Sequence, residues 1–67
     1  MIQIFCNGEQ RLVSPSTTVS TLLEELGVQL GYVAVEVNEQ LVPRKQHDEC
    51  ELFEGDRLEV VTLVGGG

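Results

Sequence analysis

The sequence predicts a two-layer α+β domain in which one helix packs on one face of a sheet of four to five strands. Three observations carry that prediction: an alternating apolar segment that runs into Asn7-Gly8, one stretch of helical periodicity from Val19 to Leu26, and further alternating segments after it. A lone helix between a first hairpin and later strands can cover only one face of a single sheet.

Each element follows from its residues. Ile2, Ile4 and Cys6 alternate with Gln3, Phe5 and Asn7, as in a half-buried strand. Asn7-Gly8 is a hairpin turn, because both residues tolerate the positive φ of a type I′ turn, and a second strand runs to about Val13. Ser14-Pro15-Ser16-Thr17 breaks the pattern: proline has no amide donor, and serine side chains compete for the backbone. Val19, Leu22, Leu23 and Leu26 then form one apolar stripe, with Thr18 as N-cap and Gly27 as the stop. Val33 to Val37 alternates again and leads through an Asn38-Glu39 turn into a short strand, Gln40-Leu41-Val42, that Pro43 ends. Arg44 to Glu51 reads as a polar surface connection. Glu54-Gly55-Asp56 is a turn before the last strand, Arg57 to Val64. Tyr32 is expected at the rim of the core.

Sixty-seven residues make one small domain, and the 42% hydrophobic content is enough for one core, which argues against a disordered peptide. Eleven acidic residues against four basic ones give a formal charge of −7. That balance disfavours nucleic acid, whose phosphates require Lys and Arg, and favours a basic protein surface as partner. No apolar run approaches the ~20 residues of a membrane span. Cys6 and Cys50 have no metal-ligand spacing and read as ordinary thiols; with no signal-peptide pattern, a cytoplasmic location is expected. His47, Asp48, Glu49 and Cys50 are consecutive, which metal sites are not, so no metal is expected there and the segment reads as a solvated loop. Arg44 and Lys45 read as surface charges.

The sequence stops on Gly65-Gly66-Gly67, directly after the β-branched run that feeds it. Without Cβ atoms such a segment can thread a channel too narrow for other residues, and three extended glycines reach roughly 10 Å. The division is therefore 1–64 as the folded domain and 65–67 as a glycine tail whose α-carboxylate is the candidate reacting group.

The first hairpin, the short helix, the stretch Val37-Asn38-Glu39-Gln40-Leu41-Val42-Pro43-Arg44, the Gly55-Asp56 turn and the Gly-Gly end together resemble the ThiS family of sulfur carriers in thiamine biosynthesis. The resemblance covers the whole chain, and Val-Asn-x-x-(Leu/Ile)-(Val/Ile)-Pro-Arg is its most discriminating part. It implies the β-grasp (ubiquitin-like) fold with a mixed sheet, and a carrier rather than an enzyme, without catalytic side chains or a bound cofactor. In the family a ThiF-like adenylyltransferase consumes ATP to adenylate the terminal carboxylate. Sulfur from a donor such as a cysteine desulfurase then converts it to a thiocarboxylate, which a ThiG-like thiazole synthase uses to build the thiazole ring. Carried onto this chain, Gly67 is the modified residue, Gly65 and Gly66 thread the partner's channel, and the free carrier is a monomer. The molybdopterin synthase small subunit, which inserts the same kind of tail into its catalytic partner, is the alternative; it resembles the chain less closely around Val37 to Arg44.

If the first and last strands are neighbours, as the β-grasp resemblance implies, Phe5, Val61 and Leu63 share the uncovered sheet face. They are the expected partner-docking residues.

Overall fold

The computed structural model describes residues 1–28 and 33–62. Tyr32, Leu63, Gly65, Gly66 and Gly67, which carry expectations from the sequence, lie outside the described residues.

Alternation and turn chemistry produce the strands where the sequence places them. β1 (Ile2–Cys6) and β2 (Glu9–Val13) form a hairpin across Asn7-Gly8, whose φ values of 52° and 85° are the two positive values a type I′ turn needs. α1 spans Val19–Leu26. After it come β3 (Val33–Val37), β4 (Gln40–Val42), a 3₁₀ turn at Arg44–Gln46, and β5 (Arg57–Thr62). The sheet order is β2-β1-β5-β3-β4, with β1 and β5 parallel and the other neighbouring pairs antiparallel. Among the described residues this is a mixed five-stranded sheet with a single α-helix, and it makes the last strand the central one.

The core lies between helix and sheet. Val19, Leu22 and Leu23 of α1 are fully buried against Ile4 of β1, Val35 of β3 and Leu58 of β5, with Leu52 closing one side. Burying a side chain of this size contributes about 2 kcal/mol, so this layer dominates the stability of so short a chain.

Both ends of the helix are capped. At the start, Thr18 Oγ1 accepts the Thr21 amide and Thr18 O accepts the Leu22 amide. The two remaining amides reach across the fold: Val19 N donates to Cys50 O at 2.9 Å and Ser20 N to His47 O at 3.0 Å. At the other end Gly27 takes a left-handed conformation, with Gly27 N donating to Glu24 O and Val28 N to Leu23 O. That Schellman closure satisfies the Leu23 and Glu24 carbonyls and offsets the unfavourable placement of Glu24 and Glu25 near the negative end of the helix dipole.

Most of the segment from Arg44 to Glu51 is exposed, as expected of a surface connection, but His47 departs from that expectation. His47 is 4% exposed, and its Nε2–H donates to Val42 O at 3.1 Å. The reason lies in the helix: its orphan amides need acceptors, and the carbonyls of His47 and Cys50 supply them only if the segment folds down onto the helix start. Among the described residues no group of three or more His, Cys, Asp and Glu is disposed to hold a metal ion. None of the described helices is long and apolar enough to cross a membrane.

Candidate functional site: the outgoing end of the central strand

β5 leads toward the glycines, and its surroundings differ along its length. At its start it is flanked on both sides: Phe5 of β1 lies level with Arg57, Cys6 with Leu58, and β3 pairs along it from Val37↔Leu58 to Val33↔Thr62. β1 then ends while β5 continues. From Val60 onward, among the described residues, only β3 is a strand neighbour.

The first half of β5 is pinned by the turn that follows β3. Asn38 has φ 52°, and its side chain reads the strand directly: Oδ1 accepts Arg57 N at 3.0 Å and Nδ2 donates to Asp56 Oδ1 at 3.0 Å, while its backbone amide donates to Arg57 O at 2.7 Å. Asp56 Oδ2 accepts the Phe53 amide at 2.8 Å, which closes the turn around Gly55. In the same stretch Val42 is buried and Leu41 exposed, and Pro43 precedes the 3₁₀ turn. The stretch Val37 to Arg44 thus ties the entry of β5 and the helix cap into one framework.

The far end of β5 is held by Asn7. Its Oδ1 accepts Val60 N at 2.8 Å and its Nδ2 donates to Val60 O at 3.1 Å, so a side-chain amide does there what a β1 residue would do if the strand went on. Beside this end lies an open depression of about 340 Å³, lined by Cys6, Asn7, Arg11, Val28, Val60 and Thr62 among others. The Arg11 Nε in that wall is buried without a hydrogen-bond partner.

Of the expected docking residues, Phe5 and Val61 do share the outer sheet face, and β1 and β5 are neighbours. They do not touch. Arg57 and Val61 are four residues apart on one strand, roughly 13 Å, and Phe5 sits at the Arg57 level with the guanidinium 5.2 Å above its ring centroid. Val61 is 53% exposed and lies opposite Ala34. Between the two levels stands Glu59, directly opposite Glu36, both exposed. Leu41 flanks Glu36 on its other side and is 66% exposed. Like charges directly opposite across a sheet are destabilising. The outer face therefore combines separate apolar residues with an uncompensated pair of carboxylates.

Both thiols are free. Burial raises the pKa of Cys6, with Arg11 pulling weakly the other way and Glu59 and Glu9 adding to the rise. Burial likewise raises that of Cys50, with a smaller contribution from Asp56. Near neutral pH both thiols stay protonated and are poor nucleophiles.

A model described as the ThiS family matches residues 3–67. The chain belongs to the ThiS family. It is 39% identical over 64 residues to the sulfur carrier protein ThiS of Thermus thermophilus, covering 96% of this chain and 98% of that protein. The crystal structure of a thiamine biosynthesis protein (ThiS) from Geobacter metallireducens superposes with a TM-score of 0.84 at 33% identity, over 98% of this chain and all of that one. A thiazole synthase of Paramagnetospirillum magneticum is 44% identical over 66 residues, 98% of this chain; the chain spans only about a fifth of that protein's length, at 20%. In this ThiS-family chain, local sequence pattern does not reveal the two asparagine side chains that hold β5 or the burial of His47. Asn7 and Asn38 each signalled a turn, but nothing local signalled which distant backbone they would meet.

Proposed function

We propose that this protein carries sulfur for formation of the thiazole ring of thiamine, with the Gly67 carboxylate as the group that changes. The observation that carries this reading is the thiazole synthase of P. magneticum, in which a region similar to this whole chain is joined to the rest of that protein. Joining a carrier to its acceptor raises their effective concentration, and that arrangement supports a thiazole synthase as the partner that takes the sulfur.

A carboxylate is a poor electrophile because its leaving group would be oxide or hydroxide. Attack of a Gly67 oxygen on the α-phosphorus of ATP releases pyrophosphate and forms an acyl-adenylate. The terminal sulfur of a persulfide on the donor then displaces AMP, and a thiol cleaves the resulting acyl disulfide, leaving the thiocarboxylate and a disulfide. The adenylating enzyme consumes the ATP, a donor such as a cysteine desulfurase supplies the sulfur, and the carrier needs no bound cofactor or catalytic side chain. Gly65 and Gly66 keep the thread narrow. The protonated thiols, Cys6 buried and Cys50 half-buried, suit a reducing cytoplasmic setting but take no part.

Docking falls to the outer sheet face, where Phe5 and Val61 supply apolar contact; Leu63, expected beside them from the sequence, lies outside the described residues. The facing Glu36 and Glu59 gain most from a basic partner surface, which relieves their mutual repulsion. Val61→Ser is expected to weaken partner binding by about tenfold, since burying that side chain is worth ~1.5 kcal/mol, without a change in circular dichroism. Unaltered affinity in a titration would remove Val61 from the interface.

Intact-mass measurement after incubation with an adenylyltransferase, ATP and a sulfur donor tests the central reading. A gain of ~16 Da, one oxygen exchanged for sulfur, is expected in the wild type, and little or none in Gly67→Ala, whose added methyl crowds the attacked carbon while the fold stays intact. Equal adenylation of Gly67→Ala and wild type would count against the carrier reading.

A further inference from the structure

We propose that Asn7 is a positioning residue for the carboxyl-terminal reaction, its side-chain amide fixing the direction in which the chain leaves the sheet. The proposal rests on the carrier reading given above.

The last described bonds on the β1 side of β5 come from two successive groups. Asn7 N donates to Leu58 O at 2.9 Å, and the Asn7 side chain then both accepts from Val60 N and donates to Val60 O. One residue thus spans two rungs of the ladder, the second with an amide that copies the donor and acceptor of a peptide group. Beyond it the depression lined by Arg11, Val28 and Thr62 borders the same edge, and among the described residues no strand takes over there. β5 projects past β1 with β3 on one side and this single side chain on the other.

Core packing does not explain the arrangement. Asn7 is exposed, and Val60 is only half-buried. What the two bonds do is hold the backbone of β5 two residues before its last described position. Without them this end is held by β3 alone, and each backbone residue loosened on the open side has to be fixed again when a partner engages it, which corresponds to roughly a five- to thirtyfold change in an equilibrium constant. An ordering cost of that kind weakens productive binding and leaves the bound complex as reactive as before.

The test uses the whole chain with its ATP-dependent adenylating partner. Asn7→Gly removes the side chain but keeps the turn, because glycine accepts the φ of 52° at position 7. Asn7→Asp retains the acceptor for Val60 N and loses the donor to Val60 O. Pyrophosphate exchange is followed as a function of carrier concentration, and amide hydrogen exchange at Val60 is compared with that at Val35 in the core. The expected result for Asn7→Gly is a KM raised about tenfold with kcat within threefold of wild type, a smaller rise for Asn7→Asp, and faster exchange at Val60 than at Val35. Wild-type kinetic constants in folded Asn7→Gly, or a loss confined to kcat, would overturn the proposal. So would equal acceleration at Val60 and Val35, which marks a general loss of stability. Should the wild type itself fail to be adenylated, the carrier reading falls, and the exchange ratio alone decides whether Asn7 holds this end of the strand.

Discussion

The two hairpin turns of this molecule begin with the same residue in the same backbone conformation and serve β5 differently. Asn7 and Asn38 both have φ 52°, and both send a side-chain amide to the central strand. Asn38 meets the start of β5, where Asp56 and the neighbouring strands already crowd the backbone, so its bonds reinforce a junction of several elements. Asn7 meets the far end, past the last residue of β1, where its bonds replace a strand that is missing. Identical local chemistry therefore supports the fold in one place and aims the chain in the other.

Substitutions at the two ends separate these roles. The largest effect on stability is expected at Asp56→Ala, which removes the carboxylate that accepts both the Asn38 side chain and the Phe53 amide. At about 2 kcal/mol, thermal unfolding should shift down by ~8–16 °C in a domain of this size. Asn38→Gly should cost about 1–1.5 kcal/mol, and Asn7→Gly less, ~0.5–1 kcal/mol. Because both asparagines share φ 52°, the unfolded-state entropy added by glycine is the same in the two variants and cancels in their difference. Only Asn7→Gly should change KM for the adenylating partner. If Asn38→Gly raises that KM as much, the division between the two turns does not hold.

The smallest expected effect is a pH dependence at the Asn7 end. Burial raises the Cys6 pKa in the folded state, so its contribution to stability is complete below the unfolded value of about 8.5 and is lost as pH rises toward the folded one. The slope is at most about 1.4 kcal/mol per pH unit for one thiol. Melting temperatures of wild type and Cys6→Ala between pH 7 and 10 should converge toward the alkaline end. Parallel curves would assign the alkaline loss to other groups.

Much of this molecule was legible in local pattern. The period of two in β1 and β3, the i, i+3, i+4 and i+7 stripe from Val19, and the Thr18 and Gly27 caps all appear as read, because each depends on residues within one turn or one hairpin. The stretch Val37 to Arg44 carried the family resemblance without revealing its physical use. His47 misled for a related reason: a polar residue among acidic neighbours looks solvated until the helix that needs its carbonyl is placed beside it. The docking face was half visible, since parity put Phe5 and Val61 on one face but could not give the offset between parallel strands that separates them.

By itself the sequence determined the elements, the acidic surface, the family resemblance and the residues at which the chain turns. These are matters of side-chain period, charge and backbone preference. The tertiary structure alone decided that the last strand is the central one, that β1 stops short of its end, and that Asn7 fills the gap. Which backbone groups lack a strand partner depends on how elements far apart in the chain are registered, and hydrogen-bonding groups left open by that register recruit whatever side chain the fold brings within 3 Å.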